Sequence, residues 1–452
     1  MPDRPMTQAR TPHPVDARGP LGWMALAGLQ HVLVMYAGAV AVPVIVAGAL
    51  RLPKEQAAFL VSAQLFACGI ATVVQCVGLW RFGLRLPVIM GASFAAVSPM
   101  VTMAASGLSL NGLLGATIVG GAVTVAVAPF AGRLVRFFPP LVTGTVITVI
   151  GITLLRVGIG WAGGGIAAKE AGGGANIVVV ALVLATILVV ARLFEGWIAS
   201  LAVLVGLGVG YAAALAFGMV DYAGVREATW IGLAYPFRFG APRFDAFAIV
   251  PLCAAMLVVM IESTGLFFAL GETCGRTVAS PEVARGLAAC GLGAAIAGAL
   301  GALPCTASAQ NVGLIGVTME RSRWIAGAAG AILVLLGLLP KLGALAASVP
   351  QPVLGAAGIV LFGMVAATGI RILARVDYAT RHNLLIVAVS IGIGLIPSVA
   401  PAFFAQAPKW TGAAMNSGIT LAAVSAALLN AWLNGSARRA GERAPGTGAV
   451  DS

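Results

Sequence analysis

Residues 303–318 read LPCTASAQNVGLIGVT, a run in which Cys305, Thr306, Ser308, Gln310 and Asn311 interrupt an otherwise apolar chain. Two adjacent carboxamides offer two donor–acceptor forks. Such forks match the edge of a planar heterocycle whose ring N–H and C=O groups alternate. One carboxylate stands in a comparable setting. Glu262 lies inside AAMLVVMIESTGLFFALG, whereas the other fourteen Asp and Glu residues fall in tails, loops or segment ends. An ionisable group within a membrane span costs about 2.5–3.5 kcal/mol on insertion scales, so a functional role is the default expectation for Glu262. It can accept from ring N–H groups and take up a proton. The competing role is a structural pairing with a polar residue of another helix. His31 sits beside Gln30 in GLQHVLVMYAG, and either functions directly or is hydrogen-bonded across helices. Phe94, next to Ser93, can cover an apolar ring face.

The elements that must position these residues are membrane spans. The chain has 452 residues, of which 60% are hydrophobic and 9% charged. Soluble domains carry roughly a quarter charged residues, so a polytopic helix bundle is expected. The 59 glycines fit close helix packing in lipid. About fourteen apolar runs follow one another between residues 24 and 433. With an even count both termini share one side, and placing that side in the cytoplasm puts 18 of the 27 Lys and Arg residues in inner loops and tails. This agrees with the positive-inside rule. The net charge of +12 is therefore read as a topology signal, with no nucleic-acid partner expected. The first twenty residues contain no apolar h-region and read as a soluble tail. The six cysteines form no CxxC pair, and no metal site or cofactor is expected.

Two runs, 88–105 and 304–318, are short and polar at their starts. LPVIMGAS begins at Leu86 and LPCTASAQ at Leu303, an offset of 217 residues; PPLVTG at Pro139 and PQPVLG at Pro350 are offset by 211. Nearly equal offsets suggest two halves of about seven spans, and an odd number per half inverts the second copy. Inverted repeats with broken helices at matching positions point to a transporter's midplane site. Pro87 and Pro304 disfavour helix at the run starts. A helix starting near Ala309 would aim its unpaired N–H groups at the membrane centre, with Ser93 and Phe94 at the corresponding turn of the other half.

These residues carry a family resemblance. QNVGLIGVT at 310–318 resembles the signature of the nucleobase–ascorbate transporter family, as do Gln30–His31, Ser93–Ala95 and Glu262–Gly265. The resemblance implies fourteen segments in two inverted seven-segment repeats, with short strands before half-helices in segments 3 and 10. A core domain would comprise residues 21–132 and 246–341, a gate domain 133–245 and 342–434, with cytoplasmic tails at 1–20 and 435–452. It also implies a bacterial inner-membrane permease that imports a nucleobase by proton symport, often as a homodimer, with lipid around it and the proton as coupling ion. Glu262 and Gln310 match the base-binding pair, Phe94 the aromatic of segment 3, and Ser93, Ser308 and Ala309 neighbouring contacts. His31, Asn311, Gln30 and Thr318 match supporting or coupling positions. Gln310 with the Glu-Ser-x-Gly motif looks like the xanthine and urate branch. The uracil branch more often has a histidine where this chain has Leu266. Met319 and Cys290 stand where the family more often has Arg, Lys or Gly and an acid, respectively. The rival readings are a uracil or other nucleobase permease, an anion transporter of the same architecture, and a channel. An enzyme is not expected, because no HExxH, paired-Asp motif or nucleophile elbow occurs.

Overall fold

A run of apolar residues long enough to cross a bilayer has to satisfy its own backbone, and helices dominate the computed structural model of the chain. It describes residues 13–130, 139–165, 173–404, 406, 415 and 417–434. The expected inner-side arginines 4, 10, 133, 136, 438, 439 and 443 lie outside these residues. Two long helices open the chain, α1 (Leu21–Ala49) and α2 (Lys54–Val77). A strand β1 (Met90–Ala92) then leads into the short helix α3 (Val97–Ala105). Helices α4 (Leu110–Val127), α5 (Pro140–Ala162), α6 (Gly174–Leu193) and α7 (Ala202–Ala216) follow.

After a long connection the pattern repeats. Helices α8 (Ala246–Cys274) and α9 (Ser280–Ala299) precede strand β2 (Cys305–Ala307) and the ten-residue helix α10 (Ala309–Thr318). Then come α11 (Arg323–Gly337), α12 (Pro340–Ala347), α13 (Gln351–Leu373), α14 (Arg381–Val399) and α15 (Gly418–Leu433). Each of the apolar runs read from the sequence has its own helix or strand–helix pair. Among the described residues, nine helices are long and apolar enough to cross a membrane, or ten if α11 and α12, bent by 81°, form one broken span.

Helix partners obey an exchange between the two parts of the chain. Helix α2 packs on α11 and α4 on α9; α1 packs on α11 and α8 on α4; α6 packs on α7 and α14 on α15, while α5 packs on α13. The exchange holds at the backbone. β1 and β2 pair antiparallel, with Met90 opposite Ala307, Gly91 opposite Thr306 and Ala92 opposite Cys305. Just outside the strands, Ser93 N donates to Pro304 O and Ser308 N to Ile89 O, both at 2.9 Å. These two bonds map onto each other under one offset of 215 residues, between the two motif offsets.

Several helix crossings depend on glycine, among them the exchanged pair α2–α11 and α4–α9. A Cβ on Gly69 of α2 would lie 2.6 Å from Gly330 O of α11, and one on Gly330 would lie 2.9 Å from Gly69 O. At the exchanged crossing, a Cβ on Gly121 of α4 would lie 2.6 Å from Gly291 O of α9 and 2.5 Å from Ala295 N. Backbones this close leave no room for side chains, which is how membrane helices gain packing without a hydrophobic drive between them. Gly121→Val should therefore destabilise the protein by about 1–3 kcal/mol, read as a lower melting temperature in detergent. Gly160→Ala, at an open position of α5, should leave it unchanged or slightly raised.

Candidate functional site

The strand pair lies where two helices have been interrupted, so its flanks need hydrogen-bond partners from elsewhere. One face of α2 supplies them. Gln64 Oε1 accepts from Leu303 N at 2.8 Å, and its Nε2 donates back to Leu303 O at 3.3 Å. Thr72 Oγ1 accepts from Met90 N at 2.9 Å. Gln75 Oε1 accepts from Leu84 N at 3.1 Å, and its Nε2 donates to Gly286 O at 2.8 Å. All three side chains are fully buried. Ser263 of α8 shares a hydrogen bond with Thr306 of β2 at 3.2 Å. Cys290, which stands where an acid was expected, is buried among these groups, with Gln75 Nε2 at 3.4 Å and Ser263 Oγ at 3.9 Å.

Sequence reasoning missed this support. Its signal was present: Gln64, Cys68, Thr72 and Gln75 are spaced by four, four and three, which places them on one helix face. A polar stripe along a buried apolar helix marks the segment that satisfies broken backbone nearby.

On this frame α10 begins at Ala309, as the proline pattern foretold, with Ser308 as its N-cap residue. Ser308 Oγ donates to Asn311 Oδ1 at 2.6 Å and lies 3.3 Å from Gln310 Oε1. Asn311 Nδ2 donates to His31 O at 2.9 Å and meets His31 Nδ1 at 3.0 Å. Both His31 and Asn311 are buried. Asn311 therefore ties α10 to α1 and has no fork left for a ligand. His31 makes the cross-helix hydrogen bonds that the sequence offered as one of its two roles.

Gln310 is different. Its amide is half-buried, and among the described residues its only hydrogen-bond partner is the Ser308 hydroxyl, so the Nε2 donors remain available. Gly38 of α1 lies opposite: a Cβ there would be 3.7 Å from Gln310 Nε2 and 3.2 Å from Phe94 Cζ. The amide and the ring thus meet over a position without a side chain. Phe94 packs edge-on against Phe362 of α13, with ring centroids 5.7 Å apart. Ser93 is fully buried, and its hydroxyl has no hydrogen-bond partner among the described residues.

The remaining predicted residues divide. Glu262 is half-buried on α8, next to the Ser263 that bonds β2, and no hydrogen bond or ion pair among the described residues engages its carboxylate. Ala309 is exposed and Gln30 half-buried. Thr318 lies at the far end of α10, where its hydroxyl donates to Leu314 O at 3.0 Å. It finishes the helix and is remote from the amides. Met319 follows in the left-handed region at φ 57°, a conformation that glycine adopts without steric cost. No cluster of His, Cys, Asp or Glu suited to a metal occurs among the described residues. Gln310 and Phe94 can present amide donors and an aromatic face to a planar polar molecule, and Glu262 stands unpaired on α8, a helix that packs against α10.

Comparisons with known proteins identify the family and the fold. Residues 22–403 match the family model Xan_ur_permease, described as Permease family. The uric acid transporter UacT of Escherichia coli K12 is 46% identical over 92% of this chain and 86% of its own length. The uric acid permease PucK of Bacillus subtilis is 40% identical over 90% of this chain and 95% of its own, and the xanthine permease of that organism is 39% identical over 90% and 93%. Among solved structures, the transmembrane domain of the cyanobacterial bicarbonate transporter BicA aligns with a TM-score of 0.59 at 15% identity, over 90% of this chain and 96% of that one. SLC26A9 aligns at 0.62 and 12% identity, over 91% and 65%. These last two likenesses establish a shared fold.

Because a buried main-chain N–H without a partner costs about 1–3 kcal/mol, Gln64→Leu should lower the melting temperature in detergent. Gln64→Glu should lose at least as much, because it keeps an acceptor for Leu303 N only by burying an ionisable group and gives up the amide donor to Leu303 O.

Proposed function

Because the chain belongs to the nucleobase–ascorbate transporter family, we propose that it imports a purine base, xanthine or urate, across the bacterial inner membrane. Family and relatives are transporters, so the chain is a multi-pass membrane permease and not an enzyme. The observation that carries the substrate reading is the Gln310 amide, left with free donors beside the Phe94 ring over Gly38. A purine offers what those groups lack: a flat apolar face for Phe94 and an edge of alternating acceptors and donors for Gln310. Glu262 accepts from a ring N–H, and its proton, or one held near His31, accompanies the base. Ser93, Ser308 and Ala309 line the approach. Asn311 and His31 keep the amide aimed.

Transport then requires the site to change sides. The segments carrying the strands, α1–α4 and α8–α11, act as the moving core, and α5–α7 with α13–α15 as the gate. The core slides against the gate in an elevator-like motion in which the Phe94–Phe362 contact must break and re-form. The protein works as a homodimer in the lipid bilayer, with both termini cytoplasmic and fourteen segments in two inverted repeats. An anion transporter of the same fold is the rival class, and the amide and ring offered by Gln310 and Phe94 suit a planar heterocycle better than a small inorganic anion.

Uptake of radiolabelled xanthine and urate into cells tests this reading. Glu262→Gln and Gln310→Ala proteins that reach the membrane should each lose about 10- to 100-fold in uptake, equivalent to one or two strong hydrogen bonds. A protonophore should abolish accumulation by the unaltered protein. Full uptake in both variants contradicts the site assignment.

A further inference from the structure

The turn between α10 and α11 is fastened from beneath by the chain's own N-terminal arm. Val15 is fully buried, and its carbonyl accepts from Arg323 N at 2.9 Å. Asp16 Oδ1 accepts from Arg323 Nε at 2.6 Å. Ala17 O accepts from Ser322 Oγ, also at 2.6 Å. Arg18 completes the contact, its guanidinium 4.2 Å from the centre of the Trp324 ring, with that of Arg323 at 4.6 Å.

Arg323 has a second set of partners. Its Nη1 donates to Cys76 O at 2.8 Å and to Val77 O at 3.3 Å. These are among the last carbonyls of α2, which have no partner within their own helix. Arg323 therefore joins three elements: the arm, the inner end of α2 and the first turn of α11. Its side chain is only 15% exposed, so the linkage is shielded from competing water far better than a surface ion pair.

The consequence lies at the opposite end of α10. This helix has ten residues and spans about 15 Å. Its N-terminal end carries Gln310 and Asn311, and its C-terminal end runs through Met319 into the turn that Arg323 closes. A short helix between two anchors moves as one body, so loss of the lower anchor lets Gln310 shift relative to Phe94. A displacement of about 1 Å in such a group is costly to binding.

We propose that Arg323 is a positioning residue for Gln310, acting through the 319–322 turn, and that residues 15–18 are its anchor. The N-terminal arm on the inner face thereby sets the affinity of a site deep in the protein. The proposal rests on the reading of Gln310 as a base-binding residue. A plain structural staple would alter stability alone, whereas a positioning role alters affinity in protein that remains folded.

The test is equilibrium binding of radiolabelled xanthine and urate to purified full-length protein, with melting temperature measured in parallel. Arg323→Ala should raise Kd at least fivefold at a temperature where the variant is folded and monodisperse. Arg323→Lys, which keeps the charge but loses the fork, should fall between it and the unaltered protein. Asp16→Asn and Val15→Ala, milder changes on the arm side, should raise Kd at least twofold and decide the matter if Arg323→Ala does not fold. Kd values within twofold of the unaltered protein for Arg323→Ala, or for both arm variants where Arg323→Ala does not fold, overturn the proposal. Failure of the unaltered protein to bind either base overturns the base-binding reading, and this proposal with it.

Discussion

A peptide group that leaves its helix inside a membrane must find a hydrogen-bond partner within the protein, because the bilayer offers none. The rest of this structure is arranged around that requirement. Two helices are broken, at β1–α3 and β2–α10, and the strands at the breaks satisfy each other in one antiparallel pair. What the pair leaves over is taken by Gln64, Thr72 and Gln75 on one face of α2. The breaks would be a net loss in a protein needing only a stable bundle. Their return is a pair of helix starts with polar side chains and backbone N–H groups deep inside an apolar fold, where a polar solute can be held without water.

The exchange of packing partners explains how so irregular a centre is tolerated. Each long crossing in one part of the chain has a counterpart in the other, down to the glycine pairs Gly69–Gly330 and Gly121–Gly291. The strands are thus enclosed between two equivalent walls. Within this frame the polar residues divide into two kinds. Asn311, His31 and Ser308 spend their hydrogen-bonding capacity on one another. Gln310 and Glu262 are left with capacity to spare, and that surplus distinguishes residues suited to meet a substrate from those that hold the site in shape.

Much of this was legible in the sequence, for identifiable reasons. Pro87 and Pro304 mark the two breaks because proline removes a helical hydrogen bond and biases the residue before it to extended backbone, and the structure starts α10 at Ala309 accordingly. The offsets of 217 and 211 residues fall on either side of the 215 that relates the strand bonds. Glu262 stood out because a lone carboxylate in a span is rare. The division of labour between two adjacent amides was not legible. Gln310 and Asn311 look equivalent in sequence, and only the position of His31 on a neighbouring helix commits Asn311 to the scaffold. The Thr of the signature, Thr318, proved to finish a helix. The polar stripe on α2 was visible as spacing but gained meaning only once its partners, Leu303, Met90 and Leu84, were seen to lack helical bonds of their own.

Everything proposed for this protein turns on Gln310 holding a purine at the strand crossing. The most direct test is the ligand-induced change in melting temperature of the purified protein against xanthine, urate, hypoxanthine, guanine, adenine and uracil, with bicarbonate and sulfate as representatives of the rival class. Xanthine or urate should stabilise the unaltered protein, and the effect should disappear in Gln310→Ala. Stabilisation by bicarbonate or sulfate with none by any purine, or a purine effect that survives in Gln310→Ala, would contradict this assignment.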